Sequence, residues 1–351
     1  MSIESSWEDA SAPAEKTTGR AASAVERSLS SGVQRMSRLA ETRILVTGGG
    51  GFLGGHVLAE LRAAGCRHIF SPRQAEYDLT RQRSIELLLG KTKPELVIHL
   101  AAAVGGIGAN QANPAGFFYR NLVMGTELID ASWRMGVEKM VLIGTTCSYP
   151  RGASLPLKET DLWNGYPEPT TAPYGLAKRV LMAQAAAYRQ QHGFNTVNLL
   201  LTNLYGPGDS FDLQNSHVVP AMIRKCVDAH RSRLPVLQLW GTGRATRDFL
   251  YVADAARAIR LAAERLDTSE PINIGTGVET STGTLARTIA EKVGYRGEIA
   301  FDTDRPDGHP RRFLDVTRCQ ELLKFQPTVS LSEGLDYTIA CYNGKSVAKA
   351  A

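Results

Sequence analysis

From Arg43 onward, short apolar runs alternate with stretches in which apolar residues recur at the helical period. Ile44-Leu45-Val46 reads as a buried strand; a glycine turn follows, then a helix through about Ala64. His68-Ile69-Phe70, Leu96-Val97-Ile98-His99-Leu100 and Met140-Val141-Leu142-Ile143 read as the second, third and fourth strands. A long helix is predicted from about Pro114 to Met135. Another carries Tyr174 to about His192, with Gly193 placed to end it, and Val197 to Leu201 is the strand after it. Strands that are apolar at nearly every position are buried on both faces, which requires a parallel sheet covered by helices on each side. The expected fold is α/β, a Rossmann-type doubly wound parallel sheet.

After Gly206-Pro207-Gly208 the pattern loosens. Val236 to Trp240, Ala253 to Arg265, Ile272 to Ile274 and Ala286 to Val293 are shorter and separated by polar loops. They predict a smaller C-terminal α/β lobe for substrate, woven into the end of the main sheet. The expected division is a dinucleotide-binding domain over 41–205, with a later return strand, and a substrate lobe mainly over 206–345. Residues 1–40, rich in Ser, Ala and charge, read as a disordered extension. Its early acids (Glu4, Glu8, Asp9, Glu15) and lack of an apolar core fit neither a transit peptide nor a secretory signal, and Met36 is a second possible start.

Bulk composition narrows the classes. The chain has 351 residues, 43% of them hydrophobic, enough for a sizeable core. Forty basic against 35 acidic residues give a net charge of +5, too mild to argue for nucleic acid but suited to an anionic small molecule. No apolar run approaches the roughly 18 residues of a membrane span. Cys66, Cys147, Cys226, Cys319 and Cys341 are scattered without a Cys-x-x-Cys pair, which reads as reduced thiols in a cytoplasmic enzyme with no metal site.

The chemistry is carried by two clusters. Gly48, Gly51 and Gly54 form Gly-x-x-Gly-x-x-Gly between the first strand and first helix, where a backbone without Cβ atoms lets a pyrophosphate approach the helix N-terminus. An acid at the end of the second strand would favour NAD; Ser71-Pro72-Arg73 instead suits a 2′-phosphate, which points to NADP. Asp78 can reach the adenine or cap a turn. In the second cluster, Tyr174 and Lys178 are four residues apart and share a helix face, so the ammonium can lower the phenol's pKa and make it a usable proton donor. Thr145 offers a hydroxyl to a carbonyl oxygen. Together they describe a ketone–alcohol redox site, in which hydride transfer has no need of the thiol of Cys147.

The glycine motif, Leu100-Ala101-Ala102 and Tyr174/Lys178 resemble those of extended short-chain dehydrogenases acting on nucleotide sugars. Val104-Gly105-Gly106-Ile107, Glu168-Pro169-Thr170, Asn203-Leu204-Tyr205-Gly206-Pro207, Asn215-Ser216-His217-Val218 and Pro306-Asp307-Gly308 are similar to strings of the GDP-L-fucose synthase family, bifunctional 3,5-epimerase/4-reductases. The resemblance implies a GDP-sugar substrate, NADP and a homodimer formed through the helices at about 114–135 and 174–192. It implies that Cys147 and His217 are the acid/base pair that inverts C3 and C5, whose hydrogens the C4 ketone acidifies. An ordinary thiol has a pKa of about 8.5, so Cys147 would need a cationic or dipolar neighbour to act as a base.

The same resemblance places Phe52, Leu53, Leu100, Ala101, Ala102, Asn203 and His217 beside the cofactor. Arg247 and Arg312 match positions that hold the diphosphate. Lys225 falls where an arginine is usual, and Trp240 can stack on the guanine or pack in a core. Two departures stand out. The glycine loop lacks an arginine often present there, so Arg73 must carry more of the phosphate recognition. Thr145 replaces the usual serine, which leaves open a changed sugar such as a heptose. Competing readings are a 4-reductase alone, a GDP-mannose 3,5-epimerase recycling bound NAD, and a silent cofactor-sensing protein. The intact Thr145/Tyr174/Lys178 set argues against the last.

Overall fold

A computed structural model of the chain describes residues 39–213, 216–304 and 308–345. The predicted extension up to residue 38, Met36, and Asn215, Pro306 and Asp307 of the strings above lie outside these. Leu39 and Ala40, the last two residues of the predicted extension, are packed against the fold. Leu39 is buried in the core, and the carbonyl of Ala40 accepts a hydrogen bond from the amide of Arg67.

The chain alternates strand and helix: β1 Ile44–Thr47, α1 Phe52–Ala63, β2 Ile69–Phe70, α2 Gln82–Thr92, β3 Leu96–His99, α3 Ile107–Ala112, α4 Pro114–Arg134, β4 Lys139–Thr145, α5 Ala172–His192 and β5 Asn195–Leu201. Gly193 ends α5 in the left-handed conformation, φ +67°. The main sheet has the order β10-β5-β4-β3-β1-β2, with β10 Ile272–Ile274, and every pairing is parallel. From β1 the chain first winds to β2 at one edge, then returns to β3 on the other side. The carboxyl ends of β1 and β3 therefore diverge into separate loops at a topological switch point, where doubly wound sheets bind ligands.

Alternate residues of each strand face opposite layers. Ile44 and Val46 of β1 join one core with Val57 and Leu61 of α1, while Leu45 joins the other with Ile85 of α2 and Leu128 of α4. This is why the strands read as unbroken apolar runs. The second lobe follows β6 Asn203–Tyr205 and contains α6 Val218–Arg231, β7 Val236–Trp240, β8 Thr246–Arg247, β9 Phe249–Tyr251, β11 Thr280–Ser281, α8 Thr282–Val293, β12 Glu298–Asp302, β13 Arg311–Arg312 and α10 Leu331–Tyr342. Its core joins Ile223, Leu239, Tyr251, Leu285 and Leu335. Interleaved with it in sequence, α7 Val252–Arg265, β10 and Leu323 of α9 Thr317–Leu323 pack into the core of the main sheet. No helix among the described residues is long and apolar enough to cross a membrane.

One buried polar contact sits at the switch point. His99 Nδ1 lies 2.8 Å from the Thr47 hydroxyl, and burial, with Lys178 second, pulls the imidazole pKa down to about 3. An unfolded histidine titrates near 6.5, so between about pH 6.5 and 3 the unfolded chain binds the extra proton and stability falls as pH falls. We expect His99→Gln to flatten this fall by up to about 1.4 kcal/mol per pH unit, read from urea unfolding between pH 6.5 and 4.5. An unchanged slope would count against a neutral buried His99.

Candidate active site

The turn after β1 is shaped by close backbone approach. Gly48 has φ +74°, and a Cβ there would lie 2.6 Å from the amide nitrogen of Ala101. A Cβ on Gly54 would overlap the Gly48 carbonyl, and one on Gly49 would meet the Ser71 hydroxyl. Gly48, Gly51, Phe52, Leu53 and Gly54 thus open α1 directly beside Leu100, Ala101 and Ala102 after β3. That cradle, with bare amides at a helix start, fits a dinucleotide. Ser71 and Arg73 are exposed beyond the end of β2. The Asp78 carboxylate accepts from the amide and hydroxyl of Thr80, which hold its pKa down; of the two readings open for it, turn capping is the one the side chain adopts. The amide of Asn203 donates to the Asp248 carbonyl.

The candidate reacting groups Thr145 and Cys147 lie at the carboxyl end of β4. Thr145 caps the short 3-10 turn Thr146–Ser148: its hydroxyl oxygen accepts from the Cys147 amide at 3.2 Å and keeps its own proton for another acceptor. Helix α5 is pressed against this turn. A Cβ on Gly175 would overlap the carbonyl oxygen of Cys147, while the Ser148 hydroxyl donates to the Gly175 carbonyl at 2.9 Å. The buried guanidinium of Arg179 donates to the Ser148 carbonyl and, at 2.8 Å, to that of Gly165. So Tyr174 and Cys147 come within electrostatic reach of each other, with Lys178 buried one helical turn on.

Their electrostatics correct one expectation. Burial first, and Cys147 next, push the Tyr174 phenol above its ordinary range; the lowering expected from Lys178 does not emerge. Burial also draws Lys178 down to about 8. Both groups are desolvated together, which favours the neutral phenol and leaves the ammonium charged only below about pH 8.

The second lobe supplies the remaining residues. His217 is the exposed N-cap residue of α6, in a loop that meets Gly106, where a Cβ would stand 2.9 Å from the Ser216 carbonyl. Among the described residues no hydrogen bond joins it to Cys147, and the buried Asp209 is its electrostatic neighbour. Trp240 is 64% exposed, which excludes the core-packing alternative, and Lys225 Nζ stands 5.5 Å from its ring centroid. Arg247 and Arg312 are register partners on the parallel strands β8 and β13. Arg312 Nη1 points to Cys147 Sγ at 3.5 Å, a contact that its expected diphosphate role did not foretell.

Several positioning residues escaped sequence reasoning. Asn121 of α4 clamps Ala103 from both sides, donating to its carbonyl at 2.9 Å and accepting from its amide at 3.0 Å. His56 Nε2 reaches the Pro207 carbonyl at 2.8 Å and ties α1 to the second lobe. Gly175 alone left a signal, since a glycine inside a helix costs about 1 kcal/mol and marks a close approach.

Comparison with known proteins supplies the family and the fold relatives. Residues 44–275 match the NAD dependent epimerase/dehydratase family. A GDP-L-fucose synthase of Sinorhizobium fredii (strain NBRC 101917 / NGR234) is 44% identical over 293 residues, covering 84% of this chain and 93% of the relative. A solved GDP-6-OMe-4-keto-L-xylo-heptose reductase from C. jejuni superposes with a TM-score of 0.82 at 27% identity, covering 87% of this chain and 98% of that one. A GDP-L-fucose synthetase from Naegleria fowleri bound to NADP gives 0.79 at 27% identity, covering 86% and 94%.

The contact at Gly175 makes a direct prediction. Gly175→Ala has no room against a backbone carbonyl, so it should cost about 1–3 kcal/mol and displace the turn that carries Cys147. Urea unfolding and the alkylation rate of Cys147 measure the two effects; a variant with both unchanged would contradict the packing described.

Proposed function

The chain belongs to the NAD dependent epimerase/dehydratase family and, within it, to the GDP-L-fucose synthases, and on that premise we propose that it converts GDP-4-keto-6-deoxy-D-mannose to GDP-L-fucose by inverting C3 and C5 and then reducing C4. The observation that carries the reading is the shared location of the Cys147 thiol with the Tyr174 phenol at the end of β4. Reduction alone uses only the phenol.

Gly48, Gly51 and Gly54, with Ala101 alongside, would hold the nicotinamide dinucleotide, which when bound supplies hydride to C4. The exposed Ser71 and Arg73 support NADP as that dinucleotide. Thr145 donates its free hydroxyl proton to the ketone oxygen and holds the carbonyl against Tyr174. The C4 ketone makes the neighbouring C–H bonds acidic, and Cys147 takes a proton from one face while His217 returns one from the other. Tyr174 then protonates the C4 oxygen, and the ammonium of Lys178 stabilises the phenolate left behind. Arg247, Lys225 and Trp240 face the nucleotide end: a guanidinium and an ammonium suit the diphosphate, and the exposed indole suits the guanine. The large apolar side chains of Tyr119 on α4 and Val180 on α5, 60% and 44% exposed, support a homodimer through these helices. Thr145 in place of the usual serine, together with the likeness to a GDP-heptose reductase, supports a second reading, a changed sugar such as a heptose, and NMR identification of the product decides between them.

Cys147→Ala should lower exchange of the C3 and C5 hydrogens with deuterated water by about 100-fold or more, while hydride transfer to the ketone persists. Exchange at the wild-type rate would sink the role assigned to Cys147. Arg73→Ala should raise the KM for NADPH about tenfold and leave NADH nearly unaffected; equal effects on both would refute 2′-phosphate recognition. Because Lys178 loses its proton near pH 8, the reduction rate should fall above about pH 8 and hold below it, as a pH profile of single-turnover reduction would show.

A further inference from the structure

We infer that Arg312 is a positioning residue for the epimerisation half of the reaction: its guanidinium holds the Cys147 sulfur as a thiolate and aims it at the substrate carbon. The inference rests on the reading of Cys147 as the base, and it adds the group that makes a thiol fit for that work. Arg312 Nη1 donates to Cys147 Sγ at 3.5 Å, and both partners are anchored by rigid elements. The Arg312 carbonyl accepts from the Asp248 amide at 3.1 Å, and the next carbonyl, of Phe313, accepts from Leu157 at 3.0 Å, so β13 is fixed on both sides. The sulfur is presented by the capped turn Thr146–Ser148, locked against α5 by Ser148, Gly175 and Arg179.

The surroundings leave Arg312 as the cation in contact with the sulfur. Arg247, its register partner, donates to the Thr246 carbonyl at 2.7 Å. His309 is held low by burial and by Arg312 itself, so it is neutral near pH 7. From α5, Tyr174 is a neutral phenol, and Lys178 is charged below about pH 8. A guanidinium stays charged throughout this range, which a lysine in a desolvated site does not.

Two successive inversions explain why a permanent charge is useful. In each, the C–H bond breaks as the S–H bond forms, the electron pair passes into the enolate, and a proton arrives on the opposite face. The sulfur must then lose its proton to solvent before it can act again, and a fixed cation beside it favours that loss. Burial pushes Cys226 and Cys319 up to about 12 in spite of the nearby Lys225 and Arg257, so neither buried thiol suits this work.

The test is iodoacetamide alkylation of the full-length enzyme without substrate, with each cysteine quantified by peptide mass. At pH 7, Cys147 should react at least about tenfold faster than Cys341, the other partly exposed thiol. Arg312→Gln should slow Cys147 about tenfold at pH 7 and little at pH 10, which lies above the ordinary thiol pKa of about 8.5; Arg312→Lys should recover most of the rate. Equal slowing at both pH values would mean altered access, and no slowing would mean no thiolate role; either overturns the inference. Should Arg312→Gln fail to fold, a wild-type Cys147 no faster than Cys341 overturns it as well. Because alkylation needs no sugar, its failure is distinct from failure of the exchange experiment on Cys147→Ala, which tests the reaction itself.

Discussion

Helix α5 meets the turn after β4 with nothing between them but a glycine. Any side chain at Gly175 would strike the carbonyl of Cys147, so helix and turn touch backbone to backbone. That contact brings the start of α5, with Tyr174, up to the turn that carries Cys147, and one turn further along the helix Lys178 is buried as well. Catalytic distances are normally tuned by side chains, which can hop between rotamers. Here the spacing is set by two stretches of main chain, tied by the Ser148 hydroxyl and the Arg179 guanidinium.

The contact also produces a division of charge. Burial favours a neutral Tyr174 and a weakly held proton on Lys178, the state from which a phenol gives up a proton and an ammonium accepts the resulting charge alongside it. Cys147 stands at the rim of this dry wall and faces Arg312 from the second lobe. The two lobes thus bring together a desolvated phenol and a thiol in contact with a guanidinium.

Much of this was legible in the chain. The alternation of apolar strands with amphipathic helices specified a doubly wound parallel sheet, and β1, β3, β4 and β5 lie on the predicted runs; β4 and β5 begin earlier, at Lys139 and Asn195, because ladder pairing takes in polar residues that an apolar run leaves out. β2 is shorter than its run at the sheet edge, where fewer neighbours enforce pairing. The glycine spacing announced the cradle, since its reason is local: the backbone must turn and approach another backbone. Trp240 shows the opposite case. Stacking and core packing were equally good accounts of one tryptophan until its 64% exposure separated them.

The sequence by itself determined the fold class, the glycine turn that opens α1 and the placing of Tyr174 and Lys178 one turn apart on a single helix, because each rests on periodicity or on neighbours within one turn of chain. Only the tertiary structure decided the partner of Cys147. Arg312 lies 165 residues away on another lobe, and no spacing rule connects a strand-end thiol to an arginine whose side chain could as well serve a phosphate. Likewise the Tyr174 phenol was expected to be lowered by its lysine, and burial raised it instead. Desolvation is a property of the whole surrounding wall, and a wall exists only once the chain has folded.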